Sequence, residues 1–199
     1  MSPSASYFEQ LFADSDDPWS FRTRWYERRK RELLLASLPR QHYRHVFEPA
    51  CANGELSAGL ATRSTSLLCQ DLNATAVRLA AERLQPWPHA RVEQGCLPHD
   101  WPAGEFDLIV LSEIGYYLAP GQWRDVLEQA VASLADDGAL LVCHWLQPID
   151  GCPQTGRQVH DQLPERLPLQ RSLHHQETDF ILEYWCVRPG AIDLNETCP

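Results

Sequence analysis

A chain of 199 residues, 44% apolar and 22% charged, is long enough for one domain with a substantial core and has an ordinary globular composition. Its formal charge of −10 argues against nucleic acid, whose binding draws on Lys and Arg neutralising phosphate; the one basic run, RTRWYERRKR from Arg22 to Arg31, reads as a solvated helix face. No apolar run reaches membrane-spanning length, which predicts no integral membrane contact, and the opening MSPSASYFEQLFADSDDP has neither the basic region nor the apolar stretch of a secretory signal, so a cytoplasmic protein is expected. The seven cysteines show no CxxC spacing and an odd total, which predicts reduced thiols and no metal site.

Taken in chain order, Tyr7 to Phe12 reads as a short helix before the polar turn ADSDDP, and Trp25 to Leu38 as a second helix stopped by Pro39. Strand and helix signals then alternate. His45 to Glu48 is a strand, Glu55 to Thr62 a helix and Ser66 to Gln70 a buried strand. Asn73 caps a helix that presents Val77, Ala80, Ala81 and Leu84 on one face. Ala90 to Gln94 is the third strand. FDLIVLS, Phe106 to Ser112, is the fourth, apolar throughout as a parallel strand covered on both faces must be. Trp123, Val126, Leu127, Ala130, Val131 and Leu134 form a helical stripe that Asp137-Gly138 ends, and ALLVCHW is the fifth strand. A helix near Thr155 to Leu163 precedes two strand-like runs, Leu167 to His174 and Asp179 to Val187, expected to pair antiparallel.

The expected fold is therefore α/β: a three-layer α/β/α sandwich with a Rossmann-like parallel sheet and a C-terminal antiparallel hairpin. Residues 1–40 are read as a helical cap packed on the same domain, and 41–199 as the main domain. A ligand belongs beyond the carboxyl ends of the strands, beside the first one.

The turn after the first strand, Glu48-Pro49-Ala50-Cys51-Ala52-Asn53-Gly54, holds one glycine where dinucleotide folds use three. Strand, turn, helix, strand and a closing acid, Asp71, resemble the first motif of class I S-adenosylmethionine-dependent methyltransferases. In that resemblance Glu48, Ala50, Ala52 and Gly54 occupy the acid and three glycine positions. S-adenosylmethionine carries no phosphate that must approach the backbone closely. Alanine is then tolerated wherever φ is negative, and Gly54 is the expected positive-φ residue. The following helix can direct free N–H groups at an anionic ligand group. Asp71, followed by Leu72, is placed to accept from both ribose hydroxyls; the plain alternatives are a strand–helix connection and a helix cap. The end of the third strand, EQGCLPHDW, departs from the superfamily: Cys96 stands where an acid is frequent, leaving the Leu97 N–H and Asp100 to meet the adenine.

Three segments, DPWSFRTRWYERRK, FEPACANG and FDLIVLSEIGYYL, together resemble the nodulation-protein-S-like methyltransferases, over most of the chain up to about Leu146. That resemblance implies S-adenosylmethionine as cofactor. It also implies a small or amphiphilic acceptor, the amine of a deacetylated amino sugar or lipo-oligosaccharide. Trp19 would then cover the cofactor, and Lys30, in place of an arginine, would reach its methionine carboxylate as a point charge without a bidentate fork. From the residues themselves, Glu113 at the end of the fourth strand and His144 at the end of the fifth are the candidate catalytic groups, with His160 behind them; Glu113 is also a candidate cofactor ligand, accepting from the acceptor amine or from the cofactor's amino group. Their plain alternatives are a capping acid and satisfied buried histidines. Tyr116 and Tyr117 are candidate cavity walls. The competing readings are a thiol or hydroxyl acceptor, a nicotinamide oxidoreductase, which the missing GxGxxG disfavours, and a silent nucleotide-binding protein.

Overall fold

The computed structural model describes residues 5–189; Cys198 lies outside them. Seven strands of the described residues form one sheet: β1 (Tyr43–Pro49), β2 (Ser64–Asp71), β3 (Ala90–Gln94), β4 (Phe106–Ser112), β5 (Leu134–Trp145), β6 (Gln170–Gln176) and β7 (Phe180–Cys186). Their order is β3-β2-β1-β4-β5-β7-β6. The first five run parallel, and β7 inserts antiparallel between β5 and β6. Among the described residues seven α-helices accompany them: α1 (Ala5–Asp14), α2 (Trp25–Ala36), α3 (Glu55–Ala61), α4 (Ala74–Arg83), α5 (Pro120–Ala132), α6 (Gly156–Asp161) and α7 (Leu163–Arg166). No described helix is long and apolar enough to cross a membrane.

The apolar strands are buried because they feed two cores at once. In β4, Leu108 and Val110 face one core with Leu34 of α2 and Leu60 of α3, while Ile109 and Leu111 face the other with Trp123 and Leu127 of α5. Strand β5 alternates likewise, Leu141 and Cys143 against Leu140 and Val142. A period of two in a continuous apolar run thus yields the expected three-layer α/β sandwich.

Two local readings need correction. Asn73 does cap α4, its side chain accepting from the N–H groups of Thr75 and Ala76. Of the expected face, Ala80 and Leu84 are buried, but Ala76 and Leu79 take the places of Val77, which is half-buried, and Ala81, which is exposed. The small residues are turned inward because Gly54 sits against them: a Cβ on Gly54 would lie 3.0 Å from Ala80 Cα. The stripe of α5 stops at Ala132, and Leu134 already pairs with Phe106 in β5. The register shifts between that pair and Leu108↔Ala139, so Asp137-Gly138 belongs to an irregularity inside the strand and not to a helix end.

Strand order reverses across β1, which has β2 on one side and β4 on the other. The loops after β1 and β4 therefore part at their carboxyl ends and leave a crevice.

Candidate active site

That crevice is a cavity of about 630 Å³. Pro49, Ala50 and Ala52 line it from the loop after β1, Asp71 and Leu72 from the end of β2, and Cys96 and Leu97 from beyond β3. Glu113, Tyr116 and Tyr117 follow β4, and Trp145 ends β5. Phe8 and Phe12 of α1, Trp19, and Tyr26, Glu27 and Lys30 of α2 complete the wall.

The first loop is more strained than expected. Ala50 (φ 56°) and Ala52 (φ 48°) join Gly54 (φ 79°) in the left-handed region, so both alanines contradict the negative φ anticipated for them. Such a conformation costs an L-residue about 1–2 kcal/mol and persists only where the surroundings impose it. Here the Cys51 N–H donates to Gln70 O at 3.1 Å, the Ala52 N–H to Asp71 Oδ2 at 3.0 Å, and the Gly54 N–H to Cys51 O at 2.9 Å. The loop is wrapped around the end of β2, and methyl side chains are small enough to survive it. Glu113 (φ 58°) is the third non-glycine residue of this kind on the cavity wall.

Asp71 accepts from the Ala52 N–H through Oδ2 and from the Asn73 N–H, at 2.9 Å, through Oδ1. It both caps α4 and faces the cavity. Each oxygen keeps a second lone pair for a ligand hydroxyl. Burial raises its pKa, and the N–H donors of Asn73, Ala52 and Leu72 oppose that.

Glu48 lies elsewhere. It is buried beneath the loop, takes the Cys69 thiol at 3.7 Å, and borders a side cavity of about 70 Å³ in place of the main one. Burial pushes its pKa up to about 8, with the Ser57 and Cys69 side chains pulling the other way. An acid raised above its unfolded value of 4.5 holds its proton more tightly in the folded chain, so stability is complete below that pH and declines as pH rises toward 8. Glu48→Gln should remove this slope: melting curves of variant and wild type should meet near pH 5, and by pH 8.5 the variant should melt at least about 5 °C higher. Parallel curves would refute the buried protonated acid.

Lys30 is buried and committed. Its Nζ lies 2.7 Å from Glu113 Oε1 and 3.0 Å from Glu27 Oε2, over the ring of Tyr26. Burial alone would lower its pKa, but Glu113 and Glu27 outweigh that and raise it. The other Glu113 oxygen accepts from the Tyr116 hydroxyl at 2.6 Å and the Trp145 N–H at 2.9 Å. Trp19 lines the cavity and also anchors: its ring stacks on Phe21 at 5.5 Å and meets Phe12 edge-on.

The structure does not bring His144 or His160 to the cavity. His144 is fully buried with both ring nitrogens engaged, and burial, then the charges of His160 and Lys30, hold its pKa well below the usual value. Side chains alternate along a strand, so with Trp145 at the cavity the preceding His144 turns under the sheet's covering layer. Asp100 is likewise absent from the wall; it is exposed, and its carboxylate accepts the Cys96 N–H at 2.9 Å.

Sequence reasoning missed Asn53, Gln70 and Glu27. Asn53 donates to Asp17 Oδ1 at 2.9 Å, tying the segment before α2 to the first loop, while its own Oδ1 is buried without a partner. Gln70 contributes to the cavity wall and donates to Asp100 O, while its own Oε1 is buried without a partner. Glu27 was legible as the residue one helical turn before Lys30. The carboxylates of Asp71 and Glu113 on the cavity wall are acceptors, which suits a ligand bearing ribose hydroxyls and an amino group. Among the described residues, no cluster of His, Cys, Asp and Glu could hold a metal ion, and six cysteines are free.

This sheet order, with a cavity at the switch point and an acid closing β2, defines the class I S-adenosylmethionine-dependent methyltransferases. The family model of Nodulation protein S (NodS) matches residues 8–150, and the chain belongs to the NodS family. It is 52% identical to a putative methyltransferase of Pseudomonas syringae whose crystal structure covers 82% of this chain and 99% of its own, with a TM-score of 0.74. The N-methyltransferase NodS of Bradyrhizobium japonicum WM9, solved in complex with S-adenosyl-L-homocysteine, is 26% identical, covers 92% of this chain and 97% of its own, and superposes with a TM-score of 0.81. Nodulation protein S of Azorhizobium caulinodans is 29% identical over 130 residues, 64% of this chain and 62% of that protein. A probable nonribosomal peptide synthetase, CymA of Salinispora arenicola, is 38% identical over 106 residues, half of this chain and 1% of its own length.

Proposed function

We propose that this protein transfers a methyl group from S-adenosylmethionine to the amine of a small molecule. The acceptor that family membership supports is a deacetylated amino sugar or a lipo-oligosaccharide built on one. The observation that carries this reading is Asp71: a cavity-facing carboxylate at the end of β2 in a chain of the NodS family.

When bound, S-adenosylmethionine supplies an electrophilic methyl group on a positively charged sulfur. The chain's part is alignment, desolvation and charge. Asp71 would hold the ribose hydroxyls, and Glu113, on the opposite wall of the same cavity, would take the amino group of the methionine tail or that of the acceptor. Tyr116, Tyr117 and Trp145 keep water from the reacting atoms. Three carboxylates, Glu27, Asp71 and Glu113, face the cavity against Lys30 and Arg24, a balance that draws in a basic amine. Only the unprotonated amine has the lone pair that attacks. Glu113, already accepting from three donors, would orient that amine through a hydrogen bond and leave its proton to solvent. A cytoplasmic location is part of the proposal, supported by the free thiols.

Calorimetric titration tests the reading. S-adenosylhomocysteine should bind with one site per chain and NADH should not; the reverse would make the protein a nicotinamide enzyme, and binding of neither would leave a silent fold.

A further inference from the structure

Gly115 is held at both ends. Its N–H donates to His144 Nε2 at 2.9 Å, and its carbonyl accepts from Gln154 Nε2 at 3.3 Å. A Cβ there would lie 2.5 Å from Val159 and 3.0 Å from His144 Nε2, so the bare glycine is what admits the ring. A ring nitrogen that accepts carries no proton. Neutral His144 must therefore bear its proton on Nδ1, which faces His160 Nε2 at 3.1 Å. That nitrogen accepts in turn, which places the His160 proton on Nδ1, 3.3 Å from Glu183 Oε2 although off the hydrogen-bond axis. Glu183 on β7 is itself buried and pinned by Arg171 at 2.8 Å, His174 at 2.7 Å and the Trp185 indole at 3.0 Å.

We infer that His144 and His160 form a positioning relay, both as Nδ1–H tautomers, through which Glu183 holds the Gly115 amide and with it the turn that presents Glu113 to the cavity. Glu113 stands two residues before Gly115 at a φ of 58°, a conformation that needs external support. Its own N–H donates to Cys143 O beside His144, so the turn is tied to β5 at two successive residues of that strand. Burial lowers the pKa of both rings. A proton on His144 Nε2 would meet the Gly115 N–H head-on and add a charge facing Lys30 and His160; the groups around His160 are Glu183, Glu113 and His174. His160 and Glu183 lie beyond residue 150, where the match to the family model ends. The C-terminal hairpin thereby shapes the active site without lining it.

Long-range ¹H–¹⁵N spectra of the ligand-free protein read the tautomers directly. Both rings should be neutral with protonated Nδ1 between pH 6.5 and 8; an Nε2–H form or an imidazolium at either ring overturns the relay. His144→Gln puts an amide oxygen where Nε2 stood and should bind S-adenosylhomocysteine within threefold of wild type. His144→Leu offers no acceptor and should bind at least tenfold more weakly. A folded Leu variant with wild-type affinity removes the relay's effect on the site; if that variant does not fold, the wild-type tautomers decide. The affinity readout rests on the methyltransferase reading, whereas the tautomers do not: a protein that shows them yet binds no S-adenosylhomocysteine sinks the function and keeps the relay.

Discussion

Asp71→Ala should raise the dissociation constant for S-adenosylhomocysteine about 100-fold, measured by calorimetry. Two effects add. A carboxylate accepting from ribose hydroxyls contributes roughly 1.5–3 kcal/mol per charge-assisted hydrogen bond, and about 2.7 kcal/mol already makes a factor of 100. Alanine also releases the Ala52 and Asn73 N–H groups, the first of which keeps a strained residue in place on the cavity wall. Asp71→Asn separates the two contributions, since one oxygen remains to hold a backbone N–H while the charge is lost. It should sit between wild type and Ala. An unchanged constant in the Ala variant would reject the ribose assignment and, with it, the observation on which the proposed function stands.

Glu113→Gln should lower turnover at least tenfold and stability by about 2–4 kcal/mol, a drop in melting temperature of roughly 5–15 °C. The carboxylate accepts from Lys30, Tyr116 and Trp145, and every one of those partners is a donor. An amide must turn its NH₂ toward one side or the other, setting donor against donor, and Lys30 loses the closer of its two counter-charges. Breaking a buried pair from one side leaves an uncompensated charge, at a cost of about 3–5 kcal/mol; Glu27 remains and reduces it. Adding Lys30→Met should recover part of the stability but none of the turnover, because the stray charge is gone while the turn's carboxylate is still missing. Full activity in Glu113→Gln would take Glu113 out of the reaction; wild-type stability would deny the buried network.

Much of this molecule could be read from its residues. The limits of β3 and β4 coincide with those expected; in β4 a short apolar run between polar turns leaves little freedom in where the strand begins and ends. The acid at the end of β2 and the aromatic pair after β4 were identifiable for a similar reason: their position at a strand's carboxyl end follows from chain order alone. Membership of the NodS family was likewise visible in three local segments.

The departures share a cause. Spacing assigns a residue to an element but not the direction in which its side chain leaves, nor what it meets. His144 and Glu48 both end or nearly end strands, yet one turns beneath α6 to His160 and the other under the loop to Cys69. Lys30, expected at a ligand carboxylate, does line the cavity, but it is also paired with Glu113, a residue far along the chain whose approach no local pattern announces. Chain order and hydrophobic period therefore determined the sheet, the place of the cavity and the acid on its rim. Which carboxylates are charged, which alanines bear a positive φ and which histidines are locked away were decided only when distant segments met, because desolvation and hydrogen bonding depend on neighbours in space.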